Sequence, residues 1–354
     1  MQQTVLVTGG AGFIGRSLVR QLGEAGYKVT VLDNFVFSNQ DQVKDWSGVT
    51  LVTGDTRDRK LVMDLVGAND RVIHLAAASS FLMHKNMVGE EERDLDACSL
   101  VMMGFKTLME ALVKCGHKKL VWASTSAVYE EWGIWPEVPF VEKRPWELNP
   151  PDSKAGCKHW CEMEAWRYSN RNGITSIAMR PFSVYGVGEE TKRGYANITS
   201  LFTWAMMQGH RPIMWRDGDQ TRDFIFVDDC ARAFLLAMEN NDLETTEINL
   251  GCGRDYSFLE TVKVIAEELG IPTPHIEWVD IPIDIYAQRL LACTKRAEKL
   301  LGFKPEVDLR EGIRRIIAAT RAMPLSLQEQ LGEDQRYYEK LTPETFVPLV
   351  RKSG

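Results

Sequence analysis

Gly9, Gly12 and Gly15 recur at three-residue spacing in TGGAGFIG. Positions without a Cβ let backbone approach a pyrophosphate, whose charge is received by N–H groups at a helix opening. The plainer alternative is a glycine-rich turn that holds no ligand. Phe13 and Ile14, which open the following helical pattern, are counted with the same site. Asp33 follows about 20 residues on, where a carboxylate can accept from ribose hydroxyls and repel a 2′-phosphate. That favours NAD over NADP, although Asp33 with Asn34 also suits an ordinary strand-end turn. Asp55 and Thr56 in GDTRD, and the small-residue run Leu75, Ala76 and Ala77, end later strands. In a doubly wound sheet, the carboxyl ends of the strands face the ligand crevice.

Elements able to position these residues are legible as alternating patterns. TVLVT at 4–8 leads through the glycines into a helix in which Ile14, Leu18 and Leu22 recur at one-turn spacing. Apolar β-branched runs return at 29–33, 49–52, 71–77, 119–125 and 175–182, and helical stretches separate most of them. Alternating strands and helices imply crossover units and a parallel sheet covered on both faces. The alternation loosens after about residue 185. We therefore expect a nucleotide-binding domain over 1–184, a smaller lobe over 185–322 interleaved with it, and a tail over 323–354 that packs or makes a dimer contact.

Composition narrows the function classes. The chain has 354 residues, 44% hydrophobic and 26% charged, enough for a packed core without disulfides or metal. A net charge of -7 gives no chain-wide attraction to nucleic acid or anionic lipid. No apolar run reaches membrane-spanning length, and the opening residues lack a signal-peptide pattern, so the expected location is the cytoplasm. Seven cysteines without a CxxC pair suit reduced thiols. Cys157 and Cys161 flank His159 at helical spacing, but small core cysteines are commoner than such a metal site, and none is expected. His74 is expected to be a packed histidine.

TGGAGFIG, the GD after the third strand, HLAA, STSAVY, RPFSVYG and DGDQTRDFIFVDD occur in this order over roughly residues 4–315. Together they resemble the extended short-chain dehydrogenase/reductase family, in particular its nucleotide-sugar epimerases and dehydratases. The resemblance implies a doubly wound (Rossmann) α/β fold with a smaller C-terminal α/β substrate lobe. It also implies a tightly held NAD that oxidises a sugar hydroxyl of a nucleoside-diphosphate sugar and later returns the hydride to the ketone. Relatives are commonly dimers, with the helices near 98–114 and 154–170 as the candidate homodimer face here.

Carried over residue by residue, the resemblance places the hydroxyl that holds the substrate on Thr125, four residues before Tyr129. The family tyrosine and lysine, spaced YxxxK, fall on Lys154 and Lys158, because Pro151 and Glu162 match the usual flanking Pro and Glu. Lys158 then binds the nicotinamide ribose. Lys154 replaces the tyrosine, and as a base it must be neutral. Lys158 one turn away, the positive nicotinamide and burial would all lower its pKa. The alternative is a solvated helix lysine in a chain that has lost the redox step. Arg222 matches the arginine that clamps the diphosphate, for which a guanidinium fork suits paired oxygens; an ion pair with Asp219 or Asp223 is the blander alternative. Ser183 stands where relatives often carry an Asn that touches the pyrophosphate, and Asn197 matches a polar position at the head of a substrate-lobe helix.

Ser126 and Ala127 occupy the positions where 4,6-dehydratases carry an Asp-Glu pair, and Ser126 is counted with the substrate site. The expected activity is therefore NAD-dependent epimerisation at C4. A dehydratase or decarboxylase acting through the same ketone is the alternative, and a silent NAD or sugar-nucleotide binder a further one. Glu130 and Glu131 open a tryptophan-bearing loop, expected to be solvated and acidic. In that region Trp132, Trp135 and Trp146 would stack on a ligand or pack beneath the loop.

Overall fold

A computed structural model describes residues 2–36, 38–43, 45–78, 91–131, 137–150, 153–280 and 287–335, of which 91–95 and 153–154 are described as backbone. Strand β1 (Thr4–Thr8) feeds helix α1 (Phe13–Glu24), followed by β2 (Lys28–Asp33), β3 (Val49–Thr53), α2 (Arg59–Gly67) and β4 (Arg71–His74). Helix α3 (Glu91–Cys115) leads to β5 (Lys119–Ala123), and α4 (Ser153–Asn172) to β6 (Thr175–Pro181). In the second lobe stand β7 (Ser183–Tyr185), α5 (Ile198–Met207), β8 (Ile213–Trp215) and β9 (Thr221–Phe226). The chain then returns through α6 (Val227–Glu239) to β10 (Thr246–Leu250). It continues through β11 (Asp255–Ser257), α7 (Phe258–Leu269), β12 (Glu277–Val279), β13 (Arg289–Leu290), α8 (Lys295–Leu301), α9 (Leu309–Arg321) and α10 (Leu325–Glu333).

The central sheet has seven strands in the order β10-β6-β5-β4-β1-β2-β3, all paired in parallel. Its strands read as apolar runs because both faces are covered. One face packs Val5, Val7, Val31 and Ile73 against Leu18 and Leu22 of α1 and Phe234 and Met238 of α6. On the other, Leu6, Val72, Leu120 and Trp122 meet Val62 of α2, Phe105 and Leu112 of α3, and Cys161 of α4. The order reverses between β1 and β4, and the crevice outside their carboxyl ends is where such sheets hold ligands.

The large sheet also takes in a strand that no pattern of apolar runs marks. TEINL at 246–250 carries a Glu and an Asn, yet Glu247 is 1% and Asn249 0% exposed, and the strand closes the large sheet beside β6. In the second lobe β11, β9 and β13 form a sheet joined by β7, and β8 pairs with β12. Phe202 and Trp204 of α5, Phe258 and Ile265 of α7, Ile313 and Ile317 of α9 and Leu331 of α10 form its core. Within the expected tail, α10 packs on α5 and Asp334 receives two hydrogen bonds from Arg193; residues 336–354 lie outside the described residues. No described helix is long and apolar enough to cross a membrane.

Candidate active site

The glycine turn is built to let chain segments touch. Gly9 has φ +70, its N–H donates to Leu32 O at 2.8 Å, and a Cβ there would lie 2.6 Å from Ala76 N. A Cβ on Gly15 would overlap the Gly9 carbonyl oxygen. Gly12 caps α1 without a side-chain hydrogen bond, so the first-turn N–H groups depend on no protein side chain there. Phe13 and Ile14 pack their side chains into the protein, with Lys192 Nζ 4.0 Å from the Phe13 ring centre. They have only backbone N–H groups to offer a ligand. We expect Gly9→Ala, which combines a left-handed φ with that overlap, to lower NAD retained through gel filtration at least ~10-fold, about 1.4 kcal/mol. Undiminished NAD content would refute the assignment.

A cleft of about 530 Å³ opens at this turn, lined by Gly9, Gly12, Asp33, Asn34, Thr56, Leu75, Ala76 and Ala77 among others. Asp33 makes the strand-end turn bonds and also stands on the cleft wall. Its carboxylate lines the cleft while accepting from Ala11 N at 3.1 Å, and from Phe35 N and Ser38 Oγ at 2.9 Å each. Asn34 Oδ1 accepts from Val36 N at 3.2 Å. Asp55 differs from its neighbour Thr56: its carboxylate is held by Arg57, at 2.8 Å from the backbone N and 2.7 Å from Nη2. Thr56 Oγ1 is a buried atom on the cleft wall with no hydrogen-bond partner. A glycine turn at a helix opening with no side-chain cap, and the Asp33 carboxylate on the same cleft, fit a dinucleotide.

At the carboxyl end of β5 the chain places Thr125 beside Lys158. Lys158, 7% exposed, donates from Nζ to Ala123 O at 2.7 Å, and burial pushes its pKa down. Thr125 Oγ1 accepts from Ala127 N at 3.2 Å, capping a short turn over Ser126–Tyr129, and its own O–H is left to donate outward. Position 154 opens α4 one turn before Lys158, and its side chain lies outside the described residues. Tyr129 does not supply the missing phenol. It is 2% exposed, donates to Asn249 Oδ1 at 2.7 Å, accepts from Arg180 at 2.9 Å, and burial pushes its pKa up to about 12.

His74 is a packed residue, with Nδ1 2.7 Å from Thr8 Oγ1 and its ring against Phe105. Burial, with Lys158 nearby, pushes its pKa down to about 3. Cys157 and Cys161 are buried free thiols, His159 Nε2 bonds to Pro145 O at 2.7 Å, and no cluster able to hold a metal occurs among the described residues. Glu130 corrects the expectation of a solvated acidic loop: it is 5% exposed, because the turn before it is anchored by Val128 and Tyr129 packed against Phe140 and Phe182. Trp146 is 58% exposed, edge-on to Trp166 at 5.3 Å; Trp132 and Trp135 lie outside the described residues.

In the second lobe Arg222 is 8% exposed, lies over the Phe258 ring at 5.3 Å and donates to Thr221 O at 2.7 Å. Asp223 turns its carboxylate to the backbone N–H groups of Cys252, Gly253 and Ala292 at 2.6, 3.0 and 3.1 Å. Ser183 pairs with Phe224, beside Arg222. Asn197 caps α5 through Thr199 N at 3.1 Å and reaches Val184 O at 3.4 Å, so its amide is spent largely on structure. Ser124, whose hydroxyl donates to Glu162 at 2.6 Å, escaped the sequence analysis; only its place before Thr125 could have marked it.

The fold and the cleft define an α/β enzyme that binds a dinucleotide at the switch point of a parallel sheet. Residues 5–251 match the model of the NAD dependent epimerase/dehydratase family, and the chain belongs to that family. It is 34% identical over 316 residues to a candidate UDP-glucose 4-epimerase of Methanocaldococcus jannaschii, covering 88% of this chain and 97% of that protein. The UDP-glucose 4-epimerase of Thermotoga maritima, solved with UDP-glucose, superposes with a TM-score of 0.77 at 28% identity, over 90% of this chain and 99% of the other. That of Thermus thermophilus, solved with NAD, gives 0.75 at 27% identity, over 91% and 100%.

Proposed function

We propose that this enzyme epimerises a nucleoside-diphosphate sugar at C4, with a UDP-hexose as the first substrate to test. The observation that carries the proposal is the buried Lys158 held to Ala123 O, two residues before Thr125 at the end of β5, together with the buried Arg222 on β9. NAD, when bound, supplies reversible oxidation of the sugar hydroxyl. The turn Gly9–Gly15, the carboxylate of Asp33, Asn34, Thr56 and the Leu75–Ala77 strand end would hold it. Lys158 has three donors and spends one on Ala123 O, leaving two for ribose hydroxyls.

On the sugar side Thr125 donates to the reacting hydroxyl, and the amine of Lys154 takes and returns its proton. The register of α4 supports this second role. A helix joining parallel strands runs back against them, so position 154 lies about 6 Å beyond Lys158 along the axis, toward the carboxyl ends of the strands where Thr125 stands. Arg222, with Ser183 and Ser126 nearby, would receive the diphosphate and the sugar. The seven free cysteines suit a reducing cytoplasm, and α3 packed beside α4 offers the face for a homodimer.

Incubation of the protein, with its native nucleotide in place, with UDP-glucose and other nucleotide sugars tests the proposal. We expect an isomer of unchanged mass. Loss of water or carbon dioxide would move the assignment to the second reading, which the buried carboxylate of Glu130 favours and to which UDP-glucuronic acid decarboxylase 1 of Danio rerio, 28% identical, belongs. Unchanged sugars despite bound NAD would support a silent binder.

A further inference from the structure

Helix α4 touches the end of β5 through two polar bonds one turn apart. Lys158 reaches Ala123 O at 2.7 Å, and Glu162 Oε1 accepts from Ser124 Oγ at 2.6 Å. Glu162 is 1% exposed and also accepts from Arg180 Nε at 2.9 Å and Nη2 at 2.7 Å. Arg180, on β6, passes Nη1 to the Tyr129 hydroxyl at 2.9 Å and to Lys143 O at 3.0 Å. Around these bonds the fully buried apolar residues of α4 are small, Ala155, Cys157, Cys161 and Ala165, with Trp160 and Tyr168 packed at the margin of the same core. Small side chains interlock less firmly than large ones, so apolar packing at those four positions constrains the axial position of the helix only weakly. A buried ion pair adds little net stability, and its better-attested use is to fix register.

We propose that Ser124 and Glu162 are positioning residues that fix the axial register of α4 on β5. They thereby set the separation between Thr125, the residue after Ser124, and positions 154 and 158. Neither touches substrate. The proposal rests on the reading of Thr125 and Lys158 as parts of the reacting site. A displacement of about 1 Å at such a site costs about 100-fold in rate.

Ser124→Ala removes one hydroxyl and leaves the Glu162–Arg180 pair intact. In the NAD-loaded enzyme kcat should fall 10- to 100-fold, as expected of about 1 Å of misplacement. KM for the sugar nucleotide and NAD content should stay within about twofold, because the diphosphate and dinucleotide contacts are elsewhere. Ser124→Thr, which keeps the hydroxyl, should restore most of kcat. A merely structural serine would lower NAD content and stability together, without that split or rescue. A second readout needs no substrate: amide hydrogen exchange should quicken at 124–128 and 155–162 in Ser124→Ala and stay unchanged elsewhere. Unchanged kcat, or unchanged exchange in those two segments, overturns the proposal. A wild-type enzyme that turns over no sugar counts against the proposed function, and the exchange measurement still decides the positioning role.

Discussion

Replacing Lys154 by Met is expected to lower kcat for epimerisation at least ~10³-fold, within the range of a lost general base, while bound NAD and the fold persist. The neighbouring groups make this a strong prediction. In the proposed site Lys158 is occupied by Ala123 O and the cofactor ribose, and Tyr129 is held by Arg180 and Asn249 with its pKa pushed up to about 12 by burial. Neither can take over proton transfer at the sugar. Lys154→Tyr would place a phenol one turn before Lys158, and it should retain activity with a displaced pH profile, since burial lowers the pKa of an amine and raises that of a phenol. Product formation from a UDP-hexose, followed by chromatography, reads both variants. More than half of the wild-type rate in Lys154→Met would remove the lysine from the mechanism and bring Glu130 forward as the next carboxyl to test.

Arg180→Met should be the most destabilising single change, by about 3–5 kcal/mol, because it leaves the carboxylate of Glu162 buried without its counter-charge. Both side chains of the pair are 0% exposed and joined by two hydrogen bonds. The same change also strips a donor from the Tyr129 hydroxyl and from Lys143 O. Against a total stability of about 5–15 kcal/mol, such a loss is a large fraction of the whole. Urea unfolding measures it. Arg180→Met combined with Glu162→Leu should recover part of the loss, because no charge is then stranded in the interior. A single-variant loss below about 1 kcal/mol would mean that water or another donor reaches Glu162.

How much could be read before folding differs between the two halves of the site. The cofactor half is largely local: strand, glycine turn and helix are contiguous over residues 4–24, and Gly15 has its steric reason within that span, at the Gly9 carbonyl, whereas Gly9 has its own at Ala76, just past the end of β4. Asp33 follows at the end of the next strand, so its place at the cleft depends only on a parallel pair, β1 with β2. Asp55 shows the limit of such inference. Its position beside Thr56 was legible, but its engagement by Arg57 depends on side-chain geometry that no motif encodes.

Patterning gives no signal for β10, where polar residues are buried. Glu247 and Asn249 interrupt its apolar run, and they are satisfied from a distance: Glu247 by Trp166 at 2.5 Å and Asn249 by Tyr129 at 2.7 Å. A polar side chain counts as surface in any periodicity argument until its partner is known. Glu130 was misjudged as solvated for the same reason.

By itself the sequence determined the alternation of strands and helices, the family and the dinucleotide cradle, because these follow from short-range periodicity and from motifs that recur in a fixed order along the chain. Only the tertiary structure decided what aligns the reacting groups. Ser124, Tyr129, Glu162, Arg180 and Asn249 come from five separate segments, and their partners are up to 120 residues away. Buried hydrogen-bonding groups must each find a partner, and which partner they find is set by how the sheet and helices pack rather than by any residue's neighbours along the chain.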